Sequence, residues 1–454
     1  MSQENKELKL KFDPKDPNIL NKIVQSYNKI IIGEENNIKF LFTCYLSKDL
    51  PRKYRLHVII ASQSSAGKTS LIRRVSDPFK DHVVDYTDFT SAFLKRQEES
   101  MDGKIILLEQ MEKTNEQKKA SIFDLKFLLS EGKLRVGLVD RDQKGKNKPR
   151  ILEVSGIPVF VTTSTNMNID PESLNRTFLM QVDESQEQTE RIVDFTLKSF
   201  ATLGVNDSWE EELTQLTALA EKYRELAHQV DDIVIPFADK LKKIIPCENL
   251  TIRRDLPKIL SLTSVIAFIH ASNRYRIQHN EGANFLVGSF GETEKRYKYT
   301  VVAEPEDFKE ALEIAGTTIS QTINKVNETS MKLYGKIIEF YDQKSYSNAT
   351  LDGTGRVDGI TVKEIAEKIG KSVNRTRELM SQLESNGYLI RDRTTKEHTF
   401  IPTGQKFSEI KINELTFTKE ELESWKLEQI ARHGQKLTMI EPPCFTKEPE
   451  NDTK

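Results

Sequence analysis

Residues 56–69 read Leu56-His57-Val58-Ile59-Ile60-Ala61-Ser62-Gln63-Ser64-Ser65-Ala66-Gly67-Lys68-Thr69. The first six form a short apolar run, which is typical of a buried strand in a parallel sheet. The remainder is a loop of small residues before the start of a helix. In such a loop, successive backbone N–H groups can converge on a phosphate. The order of strand, loop and helix therefore predicts an α/β fold with a phosphate-binding loop (P-loop).

The loop predicts a site for ATP and Mg²⁺. Lys68 would neutralise the β- and γ-phosphates, and the hydroxyl of Thr69 would bind the metal. Ser62 stands where the P-loop pattern has its first glycine, so a chance Gly-Lys-Thr before a helix is the competing interpretation. The apolar strand before the loop and the helical pattern after it favour the nucleotide site. Its predicted residues are Ser62, Gln63, Ser64, Ser65, Ala66, Gly67, Lys68, Thr69 and Ser70.

The composition bounds the classes of protein that the chain can belong to. With 454 residues, 37% of them hydrophobic and 30% charged, two or three domains with a very polar surface are expected. The net charge is −2, so nucleic-acid binding would need local basic patches. Three widely spaced cysteines suit a reducing, cytoplasmic compartment. The polar N-terminus predicts no signal peptide, and no apolar run approaches the ~20 residues that cross a membrane.

The alternation of strands, helices and turns predicts five segments. They are a flexible arm at 1–17, an ATPase core at 18–205, a helical lid with a hairpin at 206–330, a winged-helix module at 331–412, and a helical or disordered tail at 413–454. Residues 207–278 are predicted to be helical throughout. Residues 345–359 are predicted to form a turn-rich loop.

A second catalytic element is expected where a hydrophobic strand ends in acidic residues, at 105–112. Glu109 would hold Mg²⁺, but Gln110, in the next position, cannot take a proton at neutral pH. Three alternatives remain open. Gln110 only orients the attacking water, Glu109 is itself the base, or Glu112 reaches the water.

The next core strand is predicted at 157–163. A hairpin is predicted between the acidic strand and this one. Its two β-type runs are 133–139 and 150–154, and its turn is basic. A solvated turn is the competing interpretation. Beyond the hairpin, Asn166 ends the core strand where a sensor of the γ-phosphate belongs. Arg176 has no evident role within its own chain, so it could reach a neighbouring copy's ATP or be a surface salt-bridge residue. The basic residues of the turn are Lys144, Lys146, Lys148 and Arg150.

The order of these motifs resembles that of the minichromosome maintenance (MCM) branch of the AAA+ ATPases. The chain has Glu109-Gln110-Met111-Glu112-Lys113 in place of Asp-Glu-aromatic-Asp-Lys, and Asn175-Arg176-Thr177-Phe178 in place of Ser-Arg-Phe. The Gly33-Glu34-Glu35 element is similar to the lead-in helices of that branch. Residues 251–256 are similar to its sensor 2 helix, with Arg254 as the sensor arginine. The resemblance covers about 20–330 and implies an AAA+ domain with a helical lid.

Three differences from the family pattern predict a trimmed, divergent relative, as in archaeal or mobile-element replication proteins. About 50 residues precede the P-loop, where the family has a large DNA-encircling domain. The segment 69–103 is too short for an insert hairpin. Gln110 occupies the position of the catalytic glutamate.

The segment 331–412 independently predicts a DNA-binding winged helix. Helical patterns at 331–340, 360–369 and 372–383 are followed by two β-type runs. The third helix would enter the major groove and the strands would form the wing. A winged helix that binds protein is the alternative. The residues predicted to contact DNA are Asn374, Arg375, Arg377, Arg391 and Arg393.

The resemblance implies a ring, a hexamer, in which Arg176 serves the next subunit and the basic hairpin faces DNA. The predicted function is an ATP-dependent, DNA-binding motor of DNA replication, an MCM-like helicase or remodeller, with other replication proteins among its partners. The alternative is a replication initiator, loader or regulator in which ATP is a switch and hydrolysis is weak. Gln110 favours the alternative, whereas the basic hairpin, Asn166 and Arg176 favour the motor.

Overall fold

The structure is a computed structural model. The residues that it describes are 11–64, 66–109, 116–141, 147–165, 169, 171–202, 207–247, 252–279, 283–287, 292–296, 298–352, 359–392, 398–410, 415–433 and 437–442. None of the helices within these ranges is both long and apolar enough to cross a membrane.

Helices and strands alternate through the first half of the chain. The strands are β1 (His57–Ala61), β2 (Val83–Tyr86), β3 (Ile105–Leu108), β4 (Lys133–Arg141), β5 (Asn147–Ser155), β6 (Val159–Ser164), β7 (Phe178–Met180), β8 (Val230–Val234), β9 (Arg276–His279), β10 (Ala283–Val287), β11 (Glu292–Arg296), β12 (Tyr299–Val302), β13 (Ile360–Thr361), β14 (Leu389–Asp392), β15 (Thr399–Pro402) and β16 (Leu437–Ile440). The helices are α1 (Ile19–Tyr27), α2 (Glu35–Leu46), α3 (Lys68–Ser76), α4 (Ser91–Leu94), α5 (Glu116–Glu131), α6 (Pro171–Leu174), α7 (Gln186–Ala201), α8 (Asp207–Ala227), α9 (Ile252–Ile269), α10 (Pro305–Asn324), α11 (Glu328–Asp352), α12 (Val362–Ile369), α13 (Val373–Ser385) and α14 (Lys419–His433).

A parallel sheet of five strands, in the order β2-β3-β6-β1-β7, forms the centre of the P-loop region. Alternate residues of β3 belong to two separate apolar clusters: Ile105 and Leu107 to one, Ile106 and Leu108 to the other. Both faces of this strand are therefore covered, which explains its uninterrupted apolar sequence. The predicted α/β class with a parallel central sheet is confirmed. The carboxyl ends of β1, β3 and β6 meet at one edge.

A buried carboxylate on α8 ties the N-terminal segment to the helices beside the sheet. Glu212 Oε1 lies 2.6 Å from Lys11 Nζ and 2.7 Å from Lys29 Nζ. The hydroxyl of Ser26 donates to Glu212 Oε2 at 2.5 Å. Burial alone would raise the pKa of Glu212, but the hydrogen bonds from Lys11, Lys29 and Ser26 outweigh burial and hold the pKa at about 2.

We expect Glu212→Gln to lower the free energy of unfolding by about 1–2 kcal/mol at neutral pH, because both ammonium groups lose their carboxylate. The pKa of Glu212 is depressed from its ordinary 4.5. Its contribution is therefore full above pH 4.5 and is lost as the pH falls toward 2. Urea unfolding across this range should show a smaller loss of stability on acidification for the variant than for the parent. Glu211→Gln, on an exposed neighbour, is the control. Identical pH profiles for parent and Glu212→Gln would contradict the assignment.

A second sheet lies in the region predicted to be a helical lid. Its order is β16-β9-β12-β8, with β12 parallel to β8 and antiparallel to β9. The expectation of helix throughout 207–278 is therefore wrong at β8 and β9. Both strands are held by β12, and β9 also pairs with β16 from the tail. These pairings join segments far apart in the chain, so local periodicity does not reveal them.

Two antiparallel hairpins occur where β-type runs were predicted. β4 and β5 pair from Lys133 opposite Ser155 to Arg141 opposite Asn147. β10 and β11 form the second pair. The turn at 142–146, with Lys144 and Lys146, lies outside the described residues.

The C-terminal module has its own apolar core. Leu379, Met380 and Leu383 of α13 pack in one cluster with Tyr388 and Phe400, apart from the main core. β13, β15 and β14 form a small antiparallel sheet beside α11, α12 and α13.

Helix α11 is longer than the sequence predicted. It continues to Asp352, so the first half of the predicted loop at 345–359 is wrong, and residues 353–358 are not described. Extending a helix that packing has already nucleated costs little per residue, even through a polar sequence. Weak local preferences at 345–352 therefore do not end it.

Candidate nucleotide-binding site

The loop after β1 ends at Gly67, which caps α3. Gly67 has φ of 82°, a left-handed conformation in which a side chain would be strained. Among the described residues, no neighbouring atom lies within 4 Å of the position that a Cβ would take, so the backbone conformation rather than crowding favours glycine. The unpaired N–H groups of the first turn of α3 and the helix dipole favour an anion at this end.

The side chain of Lys68 folds back across the loop. Its ammonium donates to the carbonyl oxygen of Ser62 at 2.7 Å and to that of Gln63 at 2.5 Å, and the residue is only 7% exposed. Phosphate oxygens accept stronger, charge-assisted hydrogen bonds than peptide carbonyls. The ammonium can therefore exchange these partners for a nucleotide phosphate.

Ser62 has a structural reason to differ from the glycine of the P-loop pattern. Its backbone N–H donates to the carbonyl of Ser164, and its side chain accepts from the N–H of Val182 at 3.1 Å. The side chain is fully buried. Ser62 thus links β1 to the end of β6 through its backbone and to the segment after β7 through its hydroxyl, and glycine could not make the second contact.

A small open cavity lies beside the loop at the carboxyl edge of the sheet. It brings together Thr69 and Glu109, the two predicted metal ligands. Neither Arg176 nor Arg254 is among the described residues that line it. The lining residues are Thr69, Ile72, Arg73, Asp85, Leu107, Leu108, Glu109, Val161 and Thr163.

Arg73 and Asp85 line this cavity, and the sequence analysis did not select them. Arg73 Nε donates to Asp85 Oδ2 at 2.9 Å, and Arg73 Nη2 lies 3.9 Å from Glu109 Oε1. The guanidinium therefore sits between two carboxylates at the edge of the sheet. Asp85 is the third residue of β2, beside Leu107 of β3, and Tyr86 follows it. An acidic residue within the short apolar sequence of β2 is the signal that could have found it.

Three predicted site residues, Ser65, Gln110 and Asn166, lie outside the described residues. The strands that lead to them are described. Thr162 Oγ1 donates to the carbonyl of Leu108 at 2.9 Å, which ties β6 to β3 directly before Glu109. The carboxyl ends of these strands are thus held together where a water-positioning group would act.

Arg176 makes contacts within its own chain, so the expectation that it has no role there is wrong. Its Nε donates to Ser130 Oγ at 2.5 Å, and its Nη1 donates to the carbonyl of Glu172 at 3.0 Å. Nη1 also lies 3.3 Å from the Glu172 carboxylate, and the side chain remains 24% exposed. Glu172 lies on the short helix α6, and Ser130 lies near the end of α5.

Arg176 lies at the amino-terminal ends of the strands of the central sheet, and the P-loop lies at their carboxyl-terminal ends. β7 runs parallel to β1, with Phe178 beside Val58. Arg176 precedes the amino end of β7, whereas Ser62 follows the carboxyl end of β1 and contacts Val182. Six residues of extended chain separate Arg176 from that level, roughly 20 Å. An arginine side chain does not span this distance to the P-loop of its own chain.

Helix α9 holds the segment around Arg176 through a lysine that the sequence analysis did not select. Lys258 Nζ donates to the carbonyls of Leu174 and Thr177, at 2.9 and 3.0 Å, and pairs with Asp255 at 2.8 Å. Burial, with Lys325 nearby, lowers the pKa of Lys258 to about 8. Arg254, the predicted sensor arginine, is exposed on the first turn of the same helix.

Glu184 connects the P-loop to the C-terminal module. It accepts from the backbone N–H of Gln63 at 2.6 Å, and its other oxygen lies 3.3 Å from Arg375 Nη2. Arg375 also lies 3.2 Å from Glu378, and its side chain is only 11% exposed. In this conformation Arg375 faces protein, whereas Asn374 and Arg377 on the same helix are exposed.

The other residues predicted to contact DNA are placed as follows. Arg391 pairs with Glu384 at 2.5 Å and stacks on Phe400, and Arg393 lies outside the described residues. Lys148 and Arg150 are in the first half of β5, and at these two positions the backbone alone is described.

The residues of the loop and the cavity fit a nucleoside triphosphate with Mg²⁺. The ammonium of Lys68 and the N-terminus of α3 would hold the phosphates, and the hydroxyl of Thr69 and the carboxylate of Glu109 would bind the metal. Residues 12–229, just under half of the chain, match the family model described as the MTBMA_p00010 P-loop domain. The fold and the loop together define a P-loop nucleotide-binding domain. The matched range begins before the predicted core at 18–205 and extends through α8.

Two solved proteins show loose likeness to the chain. A full-length MCM homolog from Methanopyrus kandleri aligns with 68% of this chain at 14% identity and a TM-score of 0.37, and the chain spans 62% of its length. The C-terminal region of NrS-1, in an apo form, aligns with 87% of this chain and 77% of its own at 13% identity, with a TM-score of 0.26. At TM-scores this low, neither carries an argument about activity. No curated protein matches the chain.

Proposed function

We propose that this chain is an ATP-dependent, DNA-binding motor of DNA replication, a divergent MCM-like AAA+ ATPase. Copies assemble as a ring, a hexamer, on DNA in the cytoplasm and work with other replication proteins. The observation that carries the proposal is that Thr69, directly after Lys68, and Glu109 line one cavity at the carboxyl ends of a parallel sheet. Arg176 precedes the amino end of β7, so we assign it to the ATP of a second copy.

We assign each residue of the nucleotide site a role in binding ATP and Mg²⁺. Mg²⁺, when bound with ATP, would draw negative charge from the phosphate oxygens. Lys68 holds the phosphates, while Thr69 and Glu109 orient the metal. Arg73 balances the charge of Glu109 until the metal is present. Glu109, Gln110 and Glu112 remain the alternatives for the group that activates or orients water.

DNA contacts are assigned to the β4–β5 hairpin and to the C-terminal module. The hairpin extends nine residues per strand and carries a basic turn on a chain that is nearly neutral overall. The order of helices and antiparallel strands in 328–402 supports a winged helix, whose exposed Asn374 and Arg377 would approach DNA.

Replacing Lys144, Lys146 and Lys148 with alanine should weaken DNA binding and reduce its salt dependence. Each lost phosphate contact removes roughly 0.7–0.9 units from the slope of log affinity against log salt. Fluorescence anisotropy with labelled single- and double-stranded DNA over a salt series measures this slope. The matched control replaces three exposed lysines elsewhere, Lys80, Lys242 and Lys243, with the same change in net charge. Equal slopes for the two triple variants would assign the hairpin a structural role and remove the motor's main support.

The contact of Glu184 with both Gln63 and Arg375 favours the second candidate, an ATP-switched initiator or regulator. A nucleotide that draws the Gln63 N–H toward a phosphate would weaken the hold of Glu184 and release Arg375 from the P-loop region. ATP would then change DNA affinity without a need for rapid hydrolysis. Glu184→Gln would imitate this release. ATP-independent DNA affinity in that variant would support the switch.

A further inference from the structure

Helix α7 has an apolar face that none of the described residues of the chain covers. Of its sixteen residues, Gln188 is the one that is buried. Val193, Leu197 and Phe200 follow the spacing of one helix face and are 50%, 65% and 90% exposed, and Ile192 beside them is 45% exposed. A contiguous exposed apolar surface of this kind marks an interaction site. An acidic stripe of Glu187, Glu190 and Asp194 runs alongside it.

Hydrogen bonds hold the N-terminus of α7 next to the P-loop. Ser185 caps the helix by accepting from the N–H of Gln188. The Gln188 side chain donates to the carbonyl of Ile32 and fills the space beside Gly33, where a Cβ would lie 2.5 Å from it. Glu184, directly before the cap, accepts from the P-loop N–H of Gln63. The helix that carries the apolar face therefore begins beside the P-loop, at the carboxyl ends of the central strands.

A second exposed apolar face lies on α5, beside Arg176. Phe123 and Phe127 are 59% and 42% exposed, one helical turn apart. Ser130, at the next position on this face, holds Arg176. Lys133 and Arg135, just beyond, pair with Glu153 and remain 55% and 67% exposed, so both cations can reach a further carboxylate. The α5 face thus extends to Arg176, at the amino-terminal ends of the central strands.

We propose that α7 of one copy packs against the α5 face of a second copy of this chain. The two faces differ, so the contact is head to tail and can close a ring. Apolar residues meet apolar residues, and the acidic stripe of α7 meets Lys133 and Arg135. The contact brings the second copy's Arg176 toward the first copy's P-loop. This inference rests on the proposed function, because it supplies the interface at which the ATP site would be shared.

The size of the contact suits an assembly that depends on nucleotide. Four apolar side chains on two turns cover on the order of 300–400 Å², about half of the ~800 Å² per partner of a stable complex. Bound ATP, held from both sides by Lys68 and the second copy's Arg176, would supply further contacts. The copies should therefore associate more tightly with ATP than without it.

Cysteine cross-linking tests the proposal. Leu197→Cys and Phe127→Cys are made separately, in the full chain with Cys247 and Cys444 changed to Ser; Cys44 is buried. With Mg²⁺ and ATP, a short bis-maleimide should give a covalent dimer from the mixture of the two variants and none from either alone. The double variant should give a ladder. Leu197→Cys mixed with Tyr346→Cys, on exposed α11, is the control.

The outcomes separate this inference from the proposed function. Cross-linking of Leu197→Cys with itself, or no product from the mixture, would overturn the head-to-tail contact. ATP binding and turnover are measured on the same samples. A cross-linked assembly that binds no ATP would contradict the proposed function and leave the interface supported. ATP turnover by an assembly that does not form the cross-link would support the proposed function and contradict the interface.

Discussion

Lys68→Ala should lower the affinity for Mg²⁺·ATP by at least about 100-fold. Its ammonium is the cation that the P-loop places next to the phosphates, and a charge-assisted contact of this kind contributes several kcal/mol. The substitution removes hydrogen bonds to two carbonyl oxygens of one loop and leaves the apolar core around the sheet unchanged. The fold should therefore be retained. Titration with a fluorescent ATP analogue measures the affinity, and thermal unfolding by circular dichroism checks the fold.

The control for this loss is Lys80→Ala, which removes the same charge from an exposed position outside the site. It should bind ATP like the parent. Unchanged affinity in a folded Lys68→Ala protein would show that the loop does not bind phosphate.

Arg176→Ala should reduce ATP turnover by about 10³-fold while leaving ATP binding nearly unchanged. An arginine supplied to a neighbouring site stabilises charge that develops only in the transition state, with effects of this order. The geometry supports a role in trans, because Arg176 lies at the opposite edge of the sheet from its own P-loop. Steady-state phosphate release and nucleotide titration separate the two effects.

The contacts of Arg176 within its own chain provide a matched control. Ser130→Ala and Glu172→Ala remove the hydroxyl and carboxylate contacts, leave the hydrogen bond to the backbone carbonyl of residue 172, and keep the guanidinium, so both should retain most of the turnover. Mixing Arg176→Ala with Lys68→Ala should recover part of the activity, because some interfaces then combine an intact P-loop with an intact arginine. Equal losses in all three single variants, with no recovery on mixing, would assign Arg176 a structural role.

The local parts of the fold could be predicted because their signals lie within a few residues. Three motifs predict the structure immediately around them: the apolar run before Ser62, the Gly-Lys-Thr at the helix start and the acidic end of β3. The cavity that brings Thr69 to Glu109 follows from parallel strands that end at one edge. The β4–β5 hairpin likewise shows two short runs around a polar turn.

The remaining features depend on contacts between distant segments. β8 is a strand because β12 pairs with it, and Glu184 meets Arg375 only after the C-terminal module has packed against the P-loop region. Arg73 reads as an ordinary surface residue of α3 until Asp85 and Glu109 lie beside it. The burial of Ser62 against Val182 explains a loop serine that the pattern alone treats as a mismatch.

The most direct test of the central claim is ATP turnover by the purified full chain, with and without single- and double-stranded DNA. We predict Mg²⁺-dependent turnover that DNA stimulates and that Lys68→Ala abolishes. Turnover that is measurable but indifferent to DNA would contradict the motor. ATP binding without turnover under any of these conditions would contradict it as well and leave the switch as the function of the site.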